Sequence, residues 1–171
     1  MPTLTAGSAS LRVDRSRGGR LASLMVHGLE LLVPRGSLRP SDPLLWGCYP
    51  MVPFAGRLRG GRFRWGGRLH ELAPNHAGHA MHGTLFDERW LIERADDGYL
   101  RMRAGLHPRW PFPGWAIQEL SLSPDQLDLR IELHSSGVPF PATAGSLHAM
   151  PTIHDPSGTG CPSRMKSIGT R

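Results

Sequence analysis

Apolar and polar residues alternate along this chain in short runs, and no run keeps a helical period over the length of an ordinary helix. The clearest run is Leu127–Ser135. Leu127, Leu129, Ile131 and Leu133 share one face, while Asp128, Arg130, Glu132 and His134 share the other. Successive side chains of an extended chain point to opposite faces, so such a run buries one side and leaves the other in water. Tyr99–Gly105 repeats the pattern, with Leu100, Met102 and Ala104 opposed to Arg101 and Arg103. Ser8–Asp14 repeats it with Leu11 and Val13.

The breaks between runs are as regular as the runs. The chain holds 21 Gly and 16 Pro, a supply of turn formers suited to many short strands. Gly66-Gly67 joins Arg62–Trp65 to Arg68–Leu72 as a two-residue hairpin. Asp96-Asp97-Gly98 turns an incoming strand, Asp87–Ala95, back into Tyr99–Gly105. Pro124-Asp125-Gln126 does the same between Trp115–Ser123 and Leu127–Ser135. Nearer the start, Arg20–Val26 is a second strand, and His27-Gly28 leads into a third, Leu29–Val33. His107–Gly114 carries three prolines and cannot be regular structure. Ala73–Thr84 has no period and reads as a long loop. The predicted fold is therefore all-β, an antiparallel β-sandwich over residues 1–144. Beyond about Gly137 the pattern stops, and 145–171 is expected to be an irregular, disordered tail.

The net charge of +6 comes from 20 basic residues, one of them lysine, against 14 acids. The arginines are scattered through strand-like runs rather than gathered into a block, which argues against nucleic acid as the partner. No run approaches a membrane span of about 18 apolar residues. Cys48 and Cys161 form no CxxC pair, and the N-terminus lacks a signal-peptide pattern, so a cytoplasmic location is expected.

Trp46 to Trp90 holds the densest set of polar functional groups: Arg57, Arg59, His70, Asn75, His76, His79 and His82, set among seven aromatic residues. Aromatic faces with hydrogen-bonding groups suit a cleft that stacks a sugar ring and holds its hydroxyls, and they equally suit a β-rich stretch whose histidines satisfy nearby backbone groups; composition alone does not choose between the two. His76 and His79, three apart beside Asn75, have no third ligand at a suitable spacing, so a loop contact is expected rather than a metal. Cys48 reads as a small packing residue.

The same stretch, YPMVPFAGRLRGGRFRWGGRLHELAPNHAGHAMHG, resembles the aldose 1-epimerase (galactose mutarotase) family. In that family a P-x-x-N-R-I-x-x-G-x-F segment is followed by a β-hairpin and a loop ending in L-H-G. The matching residues are Pro53, Arg57, Leu58, Gly61 and Phe63, then Met81-His82-Gly83. Gly56 stands where the family has asparagine. The resemblance runs over roughly 8–145. It implies an incomplete galactose mutarotase-like supersandwich, with a small-molecule sugar, hexose or hexose phosphate, as partner and no cofactor. It implies interconversion of α and β anomers: a base takes the anomeric proton, an acid protonates the ring oxygen, and the ring opens and recloses. By resemblance Gly56, Arg57 and His82 bind substrate, and His82 and His148 are the catalytic histidines. The family's catalytic glutamate lies in a C-terminal part that has no counterpart here, so impaired turnover is expected of such a fragment. The alternatives are a non-catalytic carbohydrate-binding sandwich and an inactive fragment.

Overall fold

The structure, a computed structural model, describes residues 1–38, 42–137, 139–142 and 146–149. The alternating runs become two antiparallel sheets. In the first, β1 (Thr3–Ala6), β2 (Ala9–Asp14) and β3 (Arg20–Val26) form a meander. On the side of β3 away from β2, a short β4 (Leu29–Glu30) returns along its end and β5 (Cys48–Met51) joins where Leu21 faces Cys48. Two small ribbons follow. β6 (Arg57–Leu58) pairs with a later strand, and β7 (Arg62–Trp65) pairs with β8 (Arg68–Glu71) across Gly66-Gly67. The partner of β6 is β9 (Ala80–Met81). The second sheet is the meander β10 (Leu91–Asp96), β11 (Tyr99–Gly105), β12 (Gly114–Leu122) and β13 (Leu127–Ser135). Finally β14 (Ser146–Ala149) pairs with β5 at the edge of the first sheet. Among the described residues the only helical element is a single 3₁₀ turn, Arg59–Gly61.

The inner faces of the two sheets meet in one core. Leu4, Leu11, Val13 and Leu21 come from the first sheet, and Leu100, Met102, Ala104, Ala116 and Leu120 from the second. Alternation places each of them, because only every second residue of a strand points inward. The inward row of β13 is half-buried rather than buried, since an edge strand has a neighbour on one side only. Trp90 closes one end of the sandwich. It is fully buried, and its indole N–H donates to the Leu85 carbonyl at 3.3 Å. The turn after β2 clasps the segment around it: Gly18 N–H donates to Glu88 O and Trp90 N–H to Arg15 O, each at 2.7 Å.

Three expectations change. The strand foreseen over Leu29–Val33 ends at Glu30, because the Glu30 carboxylate accepts the Leu24 and Leu32 N–H groups at 2.9 and 3.0 Å and stands in for a strand ladder. The strand foreseen from Asp87 begins only at Leu91. Asp87 and Glu88 are turned toward Arg109, at 2.7 and 2.6 Å. The irregular segment foreseen from residue 145 meets a strand at Ser146–Ala149, and residues 150–171 lie outside those described. The Arg109 pairs are well exposed, so Arg109→Ala is expected to lower unfolding free energy by about 1 kcal/mol or less, and by less again in high salt. Urea melts at two ionic strengths check this.

Candidate functional site

β5 delivers the chain to the site with all four of its residues buried. After Phe54, itself buried in the core, the chain turns at Gly56, whose φ of +78° is left-handed, and runs out into β6. The loop foreseen over Ala73–Thr84 is a tied structure. Asn75 grips the backbone of Met81 from both sides: its amide donates to Met81 O at 3.0 Å and its Oδ1 accepts from Met81 N–H at 2.8 Å. That grip holds β9 against β6, with Arg57 opposite Met81 and Leu58 opposite Ala80.

The pairing brings Gly56, Arg57 and His82 together. His82 N–H donates to Gly56 O at 2.9 Å, and Gly56 N–H donates back to His82 Nδ1 at 3.3 Å. Arg57 is exposed, and its Nε donates to the Met81 sulfur at 3.4 Å. His82 adopts φ +58°, a left-handed conformation unusual for a residue with a side chain, held by this reciprocal pair. A ring nitrogen that accepts a backbone N–H is unprotonated in the neutral ring. The proton therefore sits on Nε2, which makes that nitrogen the donor. Behind the imidazole lies Tyr49, fully buried, its ring 6.3 Å away and inclined by 63°. His148 stands in β14 directly across from Tyr49 in the strand register.

The other histidines of this stretch hold the loop. His76 and His79 bond to each other through their backbones, and His79 Nδ1 accepts Gly60 N–H at 3.0 Å. Among the described residues no group of three or more His, Cys, Asp and Glu is arranged to hold a metal. Cys48 is buried in the core beside this site, and burial pushes its thiol up to about 12.

Sequence periodicity gives no hint of Arg20. It opens β3 as a charged residue, yet it is fully buried. Its guanidinium donates to Arg17 O, Trp46 O and Phe86 O at 3.0, 2.9 and 3.0 Å. It lies 4.1 Å from the Trp46 ring and 4.7 Å from that of Tyr49. Burial lowers its pKa to about 10, with Tyr49 the largest opposing influence. The signal that could have found it is the preceding Gly18-Gly19. A Cβ at Gly18 would stand 1.9 Å from Phe86 O, and one at Gly19 2.8 Å from the Gln118 amide oxygen. Gly18 lets the turn lie against the Phe86 segment that Arg20 reaches, and Gly19 lets it lie against Gln118 and Trp90.

Residues 3–149 match the Aldose 1-epimerase family. The uncharacterised protein YphB of Escherichia coli K12 is 34% identical over 102 residues, covering 57% of this chain and 34% of its own length. A crystal structure of a candidate aldose 1-epimerase from Escherichia coli K12 superposes with a TM-score of 0.68 at 29% identity, over 79% of this chain and 46% of that one. The galactose 1-epimerase of Lactobacillus acidophilus superposes with a TM-score of 0.59 at 20% identity, over 78% of this chain and 43% of that one. The chain thus spans less than half the length of these relatives.

Proposed function

This chain belongs to the aldose 1-epimerase family, and from that premise we propose that it binds a hexose at Gly56, Arg57 and His82 and takes part in exchange of its anomers. One observation carries this reading: the reciprocal Gly56–His82 bonds, which set an imidazole donor beside an exposed guanidinium. A guanidinium offers a planar fork of donors that can span two neighbouring hydroxyls. The Nε2–H of His82 would donate to an oxygen near the sugar ring oxygen. His148 would be the acid that protonates the ring oxygen as the ring opens, a task suited to a group titrating near neutrality. The open-chain aldehyde turns and the ring recloses on the other face. The partner is a free hexose or hexose phosphate, and a cytoplasmic location accords with such a substrate. No helix among the described residues is long and apolar enough to cross a membrane.

A second reading, binding without exchange, is favoured by where the carboxylates lie. Glu119 is engaged by Tyr99 and Arg101, and Glu132 by Arg130 and His134, both on the second sheet away from His82. Neither is available as the base. Loss of a positioned acid–base partner lowers turnover by about 10²–10⁴-fold, and among the described residues neither of these glutamates fills that place, so this chain is expected to bind sugar and to exchange anomers slowly. Titrating galactose and glucose by NMR, with anomer exchange followed by polarimetry, tests both readings. Arg57→Ala and His82→Ala are each expected to weaken sugar binding by about tenfold, the loss of a charge-assisted or well-placed hydrogen bond, while the thermal transition of Arg57→Ala stays in place. Sugar affinity unchanged in both variants would sink the assignment. Exchange at a full enzymatic rate would sink the second reading.

A further inference from the structure

We propose that Arg20 is a positioning residue for His82, acting through the Tyr49 ring. This builds on the reading of His82 as a site residue. The three carbonyls that Arg20 holds come from separate stretches of the chain. Arg17 belongs to the turn before β3, Trp46 to the loop before β5, and Phe86 to the segment that follows His82. One guanidinium therefore fixes three separate stretches relative to each other. A methionine of similar length would fill the space without placing a charge in the core, and buried charges are a poor way to gain stability. What the guanidinium supplies is geometry: a rigid fork whose nitrogens point in three fixed directions.

The face of that fork lies against Tyr49, which is fully buried and has rings on several sides. Arg20 lies at 4.7 Å, Phe86 at 6.0 Å and His82 at 6.3 Å. The phenol hydroxyl donates to Leu44 O at 3.5 Å, which limits how far the ring can slide. The Phe86 carbonyl held by Arg20 is four residues beyond His82, so the same group sets both the wall behind the imidazole and the chain that carries it. A wall that shifts by a fraction of an ångström changes the angle at which His82 Nδ1 meets Gly56 N–H. That bond is already long, at 3.3 Å, so it is sensitive to such a shift.

The test uses the full chain and reads the His82 ring directly. Ring ¹⁵N signals of His82 and the amide signal of Gly56 are recorded for the parent protein, Arg20→Lys and Tyr49→Leu. Arg20→Lys keeps the charge and loses the fork. Tyr49→Leu keeps the fork and loses the wall. In the parent protein the Nε2–H tautomer of His82 is expected to dominate. In both variants the two tautomers are expected to mix, and the Gly56 amide proton to move upfield as its bond to Nδ1 weakens. A role in packing alone lowers the melting temperature and leaves these signals where they are in the folded molecules, and that result overturns the proposal. Should Arg20→Lys fail to fold, Tyr49→Leu decides by itself, because the Arg20 bonds to the three carbonyls remain in it. Galactose added to the parent protein separates the two ideas. A His82 ring that responds to the substitutions but not to the sugar supports the positioning role while removing the sugar reading.

Discussion

Gly83→Ala is expected to destroy the cooperative fold, or to leave it weaker by about 4 kcal/mol or more, the range reserved for a few named mechanisms. A Cβ at this position would stand 2.0 Å from Val52 O, 2.4 Å from Val52 C and 2.6 Å from Val52 N. These are backbone atoms of the residue just past β5, bridged in parallel to Gly83 itself. They cannot swing aside as a flexible side chain could. The φ of +83° adds about 1–2 kcal/mol of conformational strain for any residue with a side chain. Gly56 supplies the control. Its φ of +78° is nearly the same, but nothing lies within 4 Å of its missing Cβ. Gly56→Ala is therefore expected to show the conformational part alone, about 1–2 kcal/mol. Urea denaturation of the two variants side by side measures the difference. Equal losses would mean that β5 and the His82 turn are not in contact as described. Because Gly83 follows His82 directly, a fold that survives the substitution should still show a displaced imidazole.

The second large effect is expected at high pH. Burial raises the Cys48 thiol from an ordinary value near 9.0 to about 12, with Arg20 opposing. Burial raises the Tyr49 phenol above its ordinary value of 10.0, again with Arg20 opposing. Both groups hold their protons longer in the folded chain than in the unfolded one. Their contribution to stability is complete below pH 9 and is lost as pH climbs toward 12, because the unfolded chain releases protons first. Arg20 works the other way. Its folded pKa is lowered from 12.5 to about 10 by burial, so between those values the unfolded chain binds more protons and stability rises. Two groups pull down and one pulls up, and the thiol acts first, from about pH 9. The expected result is a fall in unfolding free energy on the order of 2–4 kcal/mol between pH 8.5 and about 11, taking 1.4 kcal/mol for each pKa unit as the upper scale. Cys48→Ala should remove most of the fall, because Tyr49 and Arg20 then oppose each other from about pH 10. Guanidinium melts across this range check it. A flat profile would mean that water reaches Cys48 and Tyr49.

Much of the scaffold was legible in the residues because strand alternation is local. The pattern of Leu127 to Leu133 needs no knowledge of any other segment, and β13 has the bounds that pattern implies. The hairpin at Gly66-Gly67 and the turn at Asp96-Asp97-Gly98 were legible for the same reason, since backbone turns depend on residues next to one another. The limits of that reasoning show at Leu29–Val33. There one carboxylate, Glu30, took over hydrogen bonds that a longer strand would have used. They show again at Ser146–Ala149, where four residues without a clear pattern pair with β5, a partner nearly a hundred positions earlier.

Residue order alone determined the strand-and-turn architecture and, through a resemblance to a known family, the choice of Gly56, Arg57, His82 and His148 as site residues. Spacing alone favoured a loop contact over a metal for His76 and His79, but it could not name the backbone groups that they and Asn75 hold, because those come from other parts of the chain. Above all it could not mark Arg20. A guanidinium is stable in a core only where enough carbonyls and ring faces converge on it, and those at Trp46, Tyr49 and Phe86 lie 26 to 66 positions away along the chain. Burial of a charge is decided by the company that folding assembles around it, and apart from the Arg17 carbonyl and the glycines before it, that company lies far along the chain.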